Sequence, residues 1–250
     1  HQGSKSESEY SIDSNFYNSN QVYPEKNINV SDRKKARGME LVTLEVIPYL
    51  YHPKTKSLEV FSDIEIEVRE VGEHTPENIT NIKTSRIFEK LFQDIVINYE
   101  STTREEEYQE PSILYICGGS SINNSSFQDL LEWRHQQGYI VNAVTLSTTG
   151  SSANSIKNYI QDAYYEWDNP PEYVALVGDV NGSYTVPTFY NGFGHNEYGN
   201  YCEGDLPYSQ LDGDDFLPEV FVGRISVQSS SDISVIVAKT LAYEKASYIG

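Results

Sequence analysis

Apolar and polar positions follow two different rhythms along this chain. In "MELVTLEVIPYLYHPKTKSLEVFSDIEIEVREV" they alternate: Leu44 and Val46 flank Glu45, and Ile64, Ile66 and Val68 alternate with Glu65, Glu67 and Arg69. A period of two lays one side of a segment on a half-buried sheet, so strands are expected here. "HPKTKS" separates Leu50 from Leu58 with turn-forming residues, as in a hairpin. From Ser112 onward the rhythm changes. "SILYICGG", "YIVNAVTL", "EYVALVGDV" and "EVFVGRISV" are continuous apolar runs, the pattern of strands buried on both faces. Between and after them lie segments with helical spacing. "SSFQDLLEWRHQQG" carries Phe127, Leu130, Leu131 and Arg134 before Gly138, and "SANSIKNYIQDAYYEWDNPP" carries Ile156, Tyr159, Ile160, Ala163 and Trp167 before two prolines. "SDISVIVAKTLAYEK" places Ile233, Ile236, Val237 and Leu241 on one face. Strands alternating with helices predict a parallel sheet covered on both sides.

These rhythms divide the chain into three parts. Residues 1–100 hold a polar, aperiodic arm, the β-rich module and a short helix within "TSRIFEKLFQDIVINYE". Residues 101–111, charged and ending in a proline, read as an exposed linker between two folded units. Residues 112–250 form the α/β unit.

Charge and cysteine content narrow the function. The 250 residues carry 18 Lys and Arg against 37 Asp and Glu, a formal net charge of −19, which argues against a nucleic-acid-binding surface and suits a secreted or cation-rich setting. No apolar stretch approaches the roughly 18 to 20 residues of a membrane span. No signal peptide is recognisable at residue 1, so the sequence reads as a mature or engineered form. Two cysteines make no disulfide framework: Cys117 closes a buried apolar run, and Cys202 lies in a Gly/Asn/Tyr-rich loop. His195 and Cys202, in "FGHNEYGNYC", lack a nucleophile turn and read as a loop pair; His52, His74 and His135 are isolated. Neither a G-x-S-x-G elbow nor a Walker-type loop is present, and "CGGSSINNSS" is a weak candidate for phosphate binding.

The densest chemistry lies in "YSQLDGDDFLPEVFVGRISV", where Asp212, Asp214, Asp215 and Glu219 crowd into eight residues. Their mutual repulsion is offset by a hard, oxygen-seeking cation, and calcium accepts such irregular loops better than magnesium does. A solvated acidic turn is the alternative. Asp179, just past the apolar run "YVALVG", stands where ligands gather in open α/β sheets, or else caps the Gly178 turn.

The ordered pattern formed by "EYVALVGDV", "EGDLPYSQLDGDDFLPEVFVGRISV" and "KTLAYEK" resembles the gingipain-type cysteine peptidases over residues 110–250, and "LEVIPYLYHPKTKSLEVFSDIEIEV" resembles the end of that family's β-rich propeptide. The resemblance implies a caspase-like, three-layer α/β fold preceded by a small β-rich prodomain segment. It implies a calcium ion held by the carboxylates of Asp179, Asp215 and Glu219 and the backbone oxygens of Asp212 and Leu217. In that family the catalytic histidine and cysteine follow a further strand–helix region, and neither motif occurs here. The expected function is therefore that of a fragment of a secreted or cell-surface endopeptidase zymogen, inactive alone. Its partners would be a polypeptide substrate and the C-terminal catalytic subdomain, with Arg104 as a processing site. The alternative is a non-catalytic, calcium-stabilised binding or assembly module, since a fold does not fix a function.

Overall fold

A computed structural model describes residues 11–69, 83–101, 108–190, 204–213 and 215–245. The chain separates into two compact units that are interleaved in sequence: residues 1–33 with 41–75, and residues 34–40 with 76–250.

The first unit is built from short elements. A single helical turn, α1 (Ser14–Tyr17), is capped by the Asp13 carboxylate. Strand β1 (Ile28–Val30) pairs antiparallel with a later strand at Leu44–Val46, so that Ile28 faces Val46. The hairpin expected around "HPKTKS" is present, with Tyr49–His52 running antiparallel to Ser57–Val60. Residues 61–69 adopt no strand despite the alternation of Ile64, Ile66 and Val68. Alternation supplies a face but not a partner, and a strand needs a neighbour to pair its backbone. Among the described residues of this unit only Pro24 and Pro53 are buried.

The second unit begins with a hairpin that the periodicity does not announce. Strand β2 (Lys34–Ala36) pairs with β3 (Met39–Leu41) across the two-residue turn Arg37–Gly38. Both turn residues have positive φ, 46° and 77°, as the tightest hairpin turns require. The strands already given at Leu44–Val46, Tyr49–His52 and Ser57–Val60 are β4, β5 and β6. Helix α2 (Arg86–Ile95) follows, its first turn capped by the Ser85 hydroxyl.

The centre is the expected sheet, formed by β7 (Ser112–Cys117), β8 (Ile140–Thr145), β9 (Tyr173–Val177) and β10 (Phe221–Ile225) in the order β10-β9-β7-β8, all parallel. Alternate residues of β7 serve opposite faces. Leu114 and Ile116 pack with Ile156, Ile160, Ala163 and Tyr164 of α5 (Ala153–Glu166), which follows a single turn α4 (Leu146–Thr149). Ile113, Tyr115 and Cys117 pack with Phe127 and Leu130 of α3 (Ser125–Gln136) and Ile233 and Val237 of α6 (Ser230–Glu244). Every residue of β7 is buried, which is why its sequence shows no alternation.

Helices α3 and α6 are also tied by charge: the Arg134 guanidinium holds both Glu244 carboxylate oxygens, at 2.6 and 2.8 Å, and Trp133 Nε1 donates to Glu244 at 2.7 Å. The hydrogen bonds from Arg134 keep the Glu244 carboxyl below the usual carboxylate range. Its stabilising contribution is therefore complete above the unfolded carboxylate pKa of about 4.3 and is lost as pH falls through the lower folded value. Glu244→Gln should accordingly flatten the loss of melting temperature between neutral and acid pH.

The strand order reverses between β7 and β9, and the chain fills that switch point itself. Gly178 has φ 151°, and a Cβ there would lie 1.9 Å from the Tyr184 carbonyl oxygen. Gly118 is similarly close, at 2.5 Å. Gly178→Ala should therefore cost about 3 kcal/mol or more, as a backbone clash with no flexible group to yield, and thermal unfolding will read it.

Candidate functional site

The acidic loop lies at the N-terminal end of the sheet, against α5 and the β2–β3 hairpin. Gln161 on α5 donates its side-chain amide to the Leu211 carbonyl at 2.5 Å, and the Glu219 amide bonds to the Ser209 carbonyl at 2.8 Å. Glu219 is fully buried. Its Oε2 accepts the amides of Leu211 and Asp212 at 2.6 and 3.1 Å, while its Oε1 is buried without a hydrogen-bond partner. Burial pushes its carboxyl up to about 7, against those two amide donors. Asp215 accepts the Leu217 amide on Oδ1 and the Lys35 amide on Oδ2, both at 2.7 Å. The Lys35 ammonium stands 3.6 Å from Asp212.

Arg37, at the tip of the hairpin, is the centre of the arrangement. It is buried, and its guanidinium donates to the carbonyls of Pro171 and Glu219, each at 2.7 Å, and to Gln109 Oε1 at 2.6 Å. Its charge lies 5.2 Å from the Phe88 ring centroid and 5.3 Å from that of Tyr164. Burial lowers its pKa, while Tyr164, Glu172 and Glu219 oppose the shift. Helix α2 completes the enclosure: Phe88 stacks on Phe221 of β10 at 4.6 Å, and the Ser85 hydroxyl bonds to the buried Glu172 carboxylate. Burial raises Glu172 as well.

At the opposite end of the sheet, Arg224 grips Asp205 through two parallel bonds of 2.7 Å and reaches the carbonyls of Gly178, Val186 and Pro187 at 3.0, 2.7 and 3.2 Å. Asp179 accepts from its neighbour Val180 at 2.8 Å and from Gln228 Nε2 at 2.6 Å, and the Gln228 bond is the main cause of its lowered pKa.

The five calcium ligands inferred from the sequence are thus not one group. Strand register pairs Phe221 with Tyr173, so Glu219 lies level with Pro171, and Asp179 is eight residues further along (179 − 171). At about 3.3 Å per residue that is about 26 Å, too far for one ion to touch both. Asp212, Asp215, Leu217 and Glu219 do share one loop. Among the described residues, however, no three His, Cys, Asp or Glu are placed to hold a metal. Among the described carboxylates of this loop, both Asp215 oxygens meet N–H groups and Asp212 meets an ammonium. The described residues therefore do not fit a calcium ion in this conformation.

The described residues on both sides of positions 102–107 fall in the second unit. Thr84 and Tyr108 form a parallel bridge, Gln109 is buried against Arg37, and α2 packs on the sheet, so both flanks belong to the second unit. Arg104, His195 and Cys202 lie outside the described residues. Cys117 is fully buried, and burial pushes its thiol up to about 12. In native protein it should resist alkylation by iodoacetamide at pH 8, and in denaturant it should react fully, as intact-mass measurement will show.

Sequence reasoning missed Lys35, Arg37, Gln109 and Arg224. "RKKARG" is a basic run in an acidic chain, opposite in sign to "DGDD", and that complementarity was the available signal for the first two.

Comparison with known families assigns the two ends of the chain. Residues 106–250, more than half of the chain, match peptidase family C25, and residues 2–106 match the C25 propeptide. The chain belongs to peptidase family C25. The family boundary at residue 106 does not coincide with the structural one, because Lys34–Glu40 and α2, both on the propeptide side, are packed into the unit that contains the peptidase residues. Among relatives, gingipain R2 of Porphyromonas gingivalis is 26% identical over 235 residues, covering 92% of this chain and 30% of its own length. Lys-gingipain of the same species is 27% identical over 219 residues, covering 84% of this chain and 12% of its own. The chain thus spans about a third or less of these relatives. Solved structures similar to it include the Arg-specific cysteine proteinase gingipain R, with a TM-score of 0.45, 24% identity and coverage of 58% of this chain and 30% of that one. A complex of the RgpB pro- and mature domains from Porphyromonas gingivalis matches with a TM-score of 0.42, 25% identity and coverage of 52% and 28%.

Proposed function

We propose that the full-length protein is a cysteine endopeptidase made as a zymogen and acting outside the cell, and that this chain carries its propeptide and the first part of its peptidase domain. The observation that supports the reading is the direct succession of a C25 propeptide and a C25 peptidase segment within one chain. The relatives' names add cysteine proteinase activity and a pairing of pro- and mature domains. The net charge of −19 suits an extracellular setting.

In this reading the nucleophile and its base come from residues downstream of Gly250. Cys117 does not serve, because its thiol is buried and titrates far above neutral pH. The present chain contributes the sheet, whose C-terminal end is organised by the Arg224–Asp205 pair and the Gly118 and Gly178 turns. It also contributes the propeptide hairpin at the other end. The substrate is a polypeptide, and the remaining catalytic subdomain is the partner. Arg104 is the processing position. Calcium enters only as a ligand of the loop from Asp212 to Glu219, through Asp212, Asp215, Leu217 and Glu219 and without Asp179, in a conformation that differs from the one described.

The test is hydrolysis of a fluorescent casein by the present chain and by the chain extended to the full length of its gene. The extended protein should become active after cleavage within residues 102–107 and be silenced by a thiol-alkylating inhibitor, while the present chain stays inactive. An extended, cleaved protein without thiol-sensitive hydrolysis contradicts the reading and favours a non-catalytic module.

A further inference from the structure

In this conformation the described residues of the acidic loop are not arranged for the ion that its composition suggests, yet their charge is met. Among the described residues, the two cationic side chains that face it, Lys35 and Arg37, come from one short piece of chain, and Gln161 of α5 adds an amide to the Leu211 carbonyl. The Lys35 amide occupies Asp215 Oδ2, the Lys35 ammonium faces Asp212, and the Arg37 guanidinium holds the main-chain oxygen of Glu219. The β2–β3 turn that delivers Arg37 requires positive φ at two successive residues, so the tip is shaped for this insertion rather than for solvent. The fully buried Glu219 keeps Oε1 without a hydrogen-bond partner, so the loop is not a solvated turn and retains one oxygen that the seated hairpin does not engage.

We propose that the Lys34–Glu40 hairpin is the resident cation of the acidic loop, and that its seating and the binding of a divalent cation to the same carboxylates exclude one another. A calcium ion draws about six to eight oxygens inward. With the hairpin seated, Asp215 has both oxygens on N–H donors, and an ammonium stands beside Asp212. Placing two further positive charges there sets like charge against like within a few ångströms. Removing the hairpin reverses the balance, because Asp212, Asp215 and Glu219, which already repel one another, then lose the Lys35 and Arg37 charges. The hairpin lies on the propeptide side of the family boundary and the loop on the peptidase side. On the zymogen reading, therefore, calcium and the propeptide compete for one anchor, at the end of the sheet opposite Asp179 and Arg224.

The experiment follows calcium binding and hairpin seating in the full 250-residue chain, and needs no peptidase activity, so it stands or falls separately from the zymogen reading. Isothermal titration with calcium chloride is run on the unmodified chain, on Arg37→Gln and on Lys35→Gln, with magnesium chloride as the comparison. Hydrogen exchange of residues 34–40 is recorded with and without calcium. Arg37→Gln should bind calcium about tenfold or more tightly than the unmodified chain, Lys35→Gln should shift the same way by a smaller factor, and adding Asp215→Asn to Arg37→Gln should abolish the gain. In the unmodified chain, any calcium that binds at this loop should speed exchange of 34–40. Lys35→Gln leaves the buried guanidinium in place and keeps the proposal testable if Arg37→Gln does not fold. Calcium binding with undiminished protection of 34–40 overturns it, and so does the absence of any gain in the foldable variants.

Discussion

Arg37→Met should lower the stability of the second unit by about 3 to 5 kcal/mol, the usual cost of removing one partner from a buried charged network. The methylene stem is kept, but the carbonyls of Pro171 and Glu219 and the Gln109 amide oxygen lose their donor in a site closed to water. The Phe88 and Tyr164 rings also lose the charge between them. For a unit of this size the corresponding fall in melting temperature is on the order of 10 °C. Arg37→Lys keeps the charge but cannot reach three acceptors with a planar fork, so it should recover less than half of the loss. The loss belongs to a residue on the propeptide side, and its full size appears only if the hairpin is part of the peptidase unit. A fall below 1 °C in differential scanning calorimetry would show that the guanidinium is solvated.

Arg224→Met should have an effect nearly as large, at about 3 kcal/mol, and of a different kind. Arg224 is 13% exposed and its partner Asp205 25%, so solvent screens the pair only partly. Five hydrogen bonds from one guanidinium hold Asp205 and the carbonyls of Gly178, Val186 and Pro187. Without it, the segment that fills the switch point at Gly118 and Gly178 loses its side-chain hydrogen bonds to β10 and keeps apolar packing, in the cluster that Val186 shares with Val222, and the Gly178–Ile225 backbone bond. Limited proteolysis should then cut within residues 180–190 well before global unfolding, whereas Arg37→Met should leave that segment resistant. Equal resistance in both variants would contradict the assignment of Arg224 as the staple of the C-terminal end.

The parallel sheet was legible because burial on both faces leaves its mark in the composition of a strand. "SILYIC" and "YVALV" could scarcely be anything else once helical segments separate them. The β-rich module was legible in kind but not in detail: "HPKTKS" carries its own turn chemistry, while Ile64, Ile66 and Val68 offer alternation with no cue to a partner. The acidic loop was identifiable as a dense cluster of carboxylates. Joining Asp179 to it neglected a constraint that the sequence does contain: Glu219 precedes its strand and Asp179 follows its own, and parallel strands carry those positions to opposite ends. The hairpin was not legible by periodicity, because its three-residue strands are too short to show one and its residues are charged. "RKKARG" reads locally as solvated surface. Only the long-range fold, bringing Arg37 to Glu219 across 182 positions, gives it a buried acceptor set.

The most direct measurement is hydrogen exchange, by mass spectrometry, of Lys34–Glu40 in the unmodified chain without added metal. If the hairpin is an integral part of the peptidase unit, its amides should exchange only through unfolding of that unit, at rates near those of Ser112–Cys117. They should also be slower by orders of magnitude than those of the exposed strand Ser57–Val60. Exchange of residues 34–40 as fast as that of Ser57–Val60 would contradict the account.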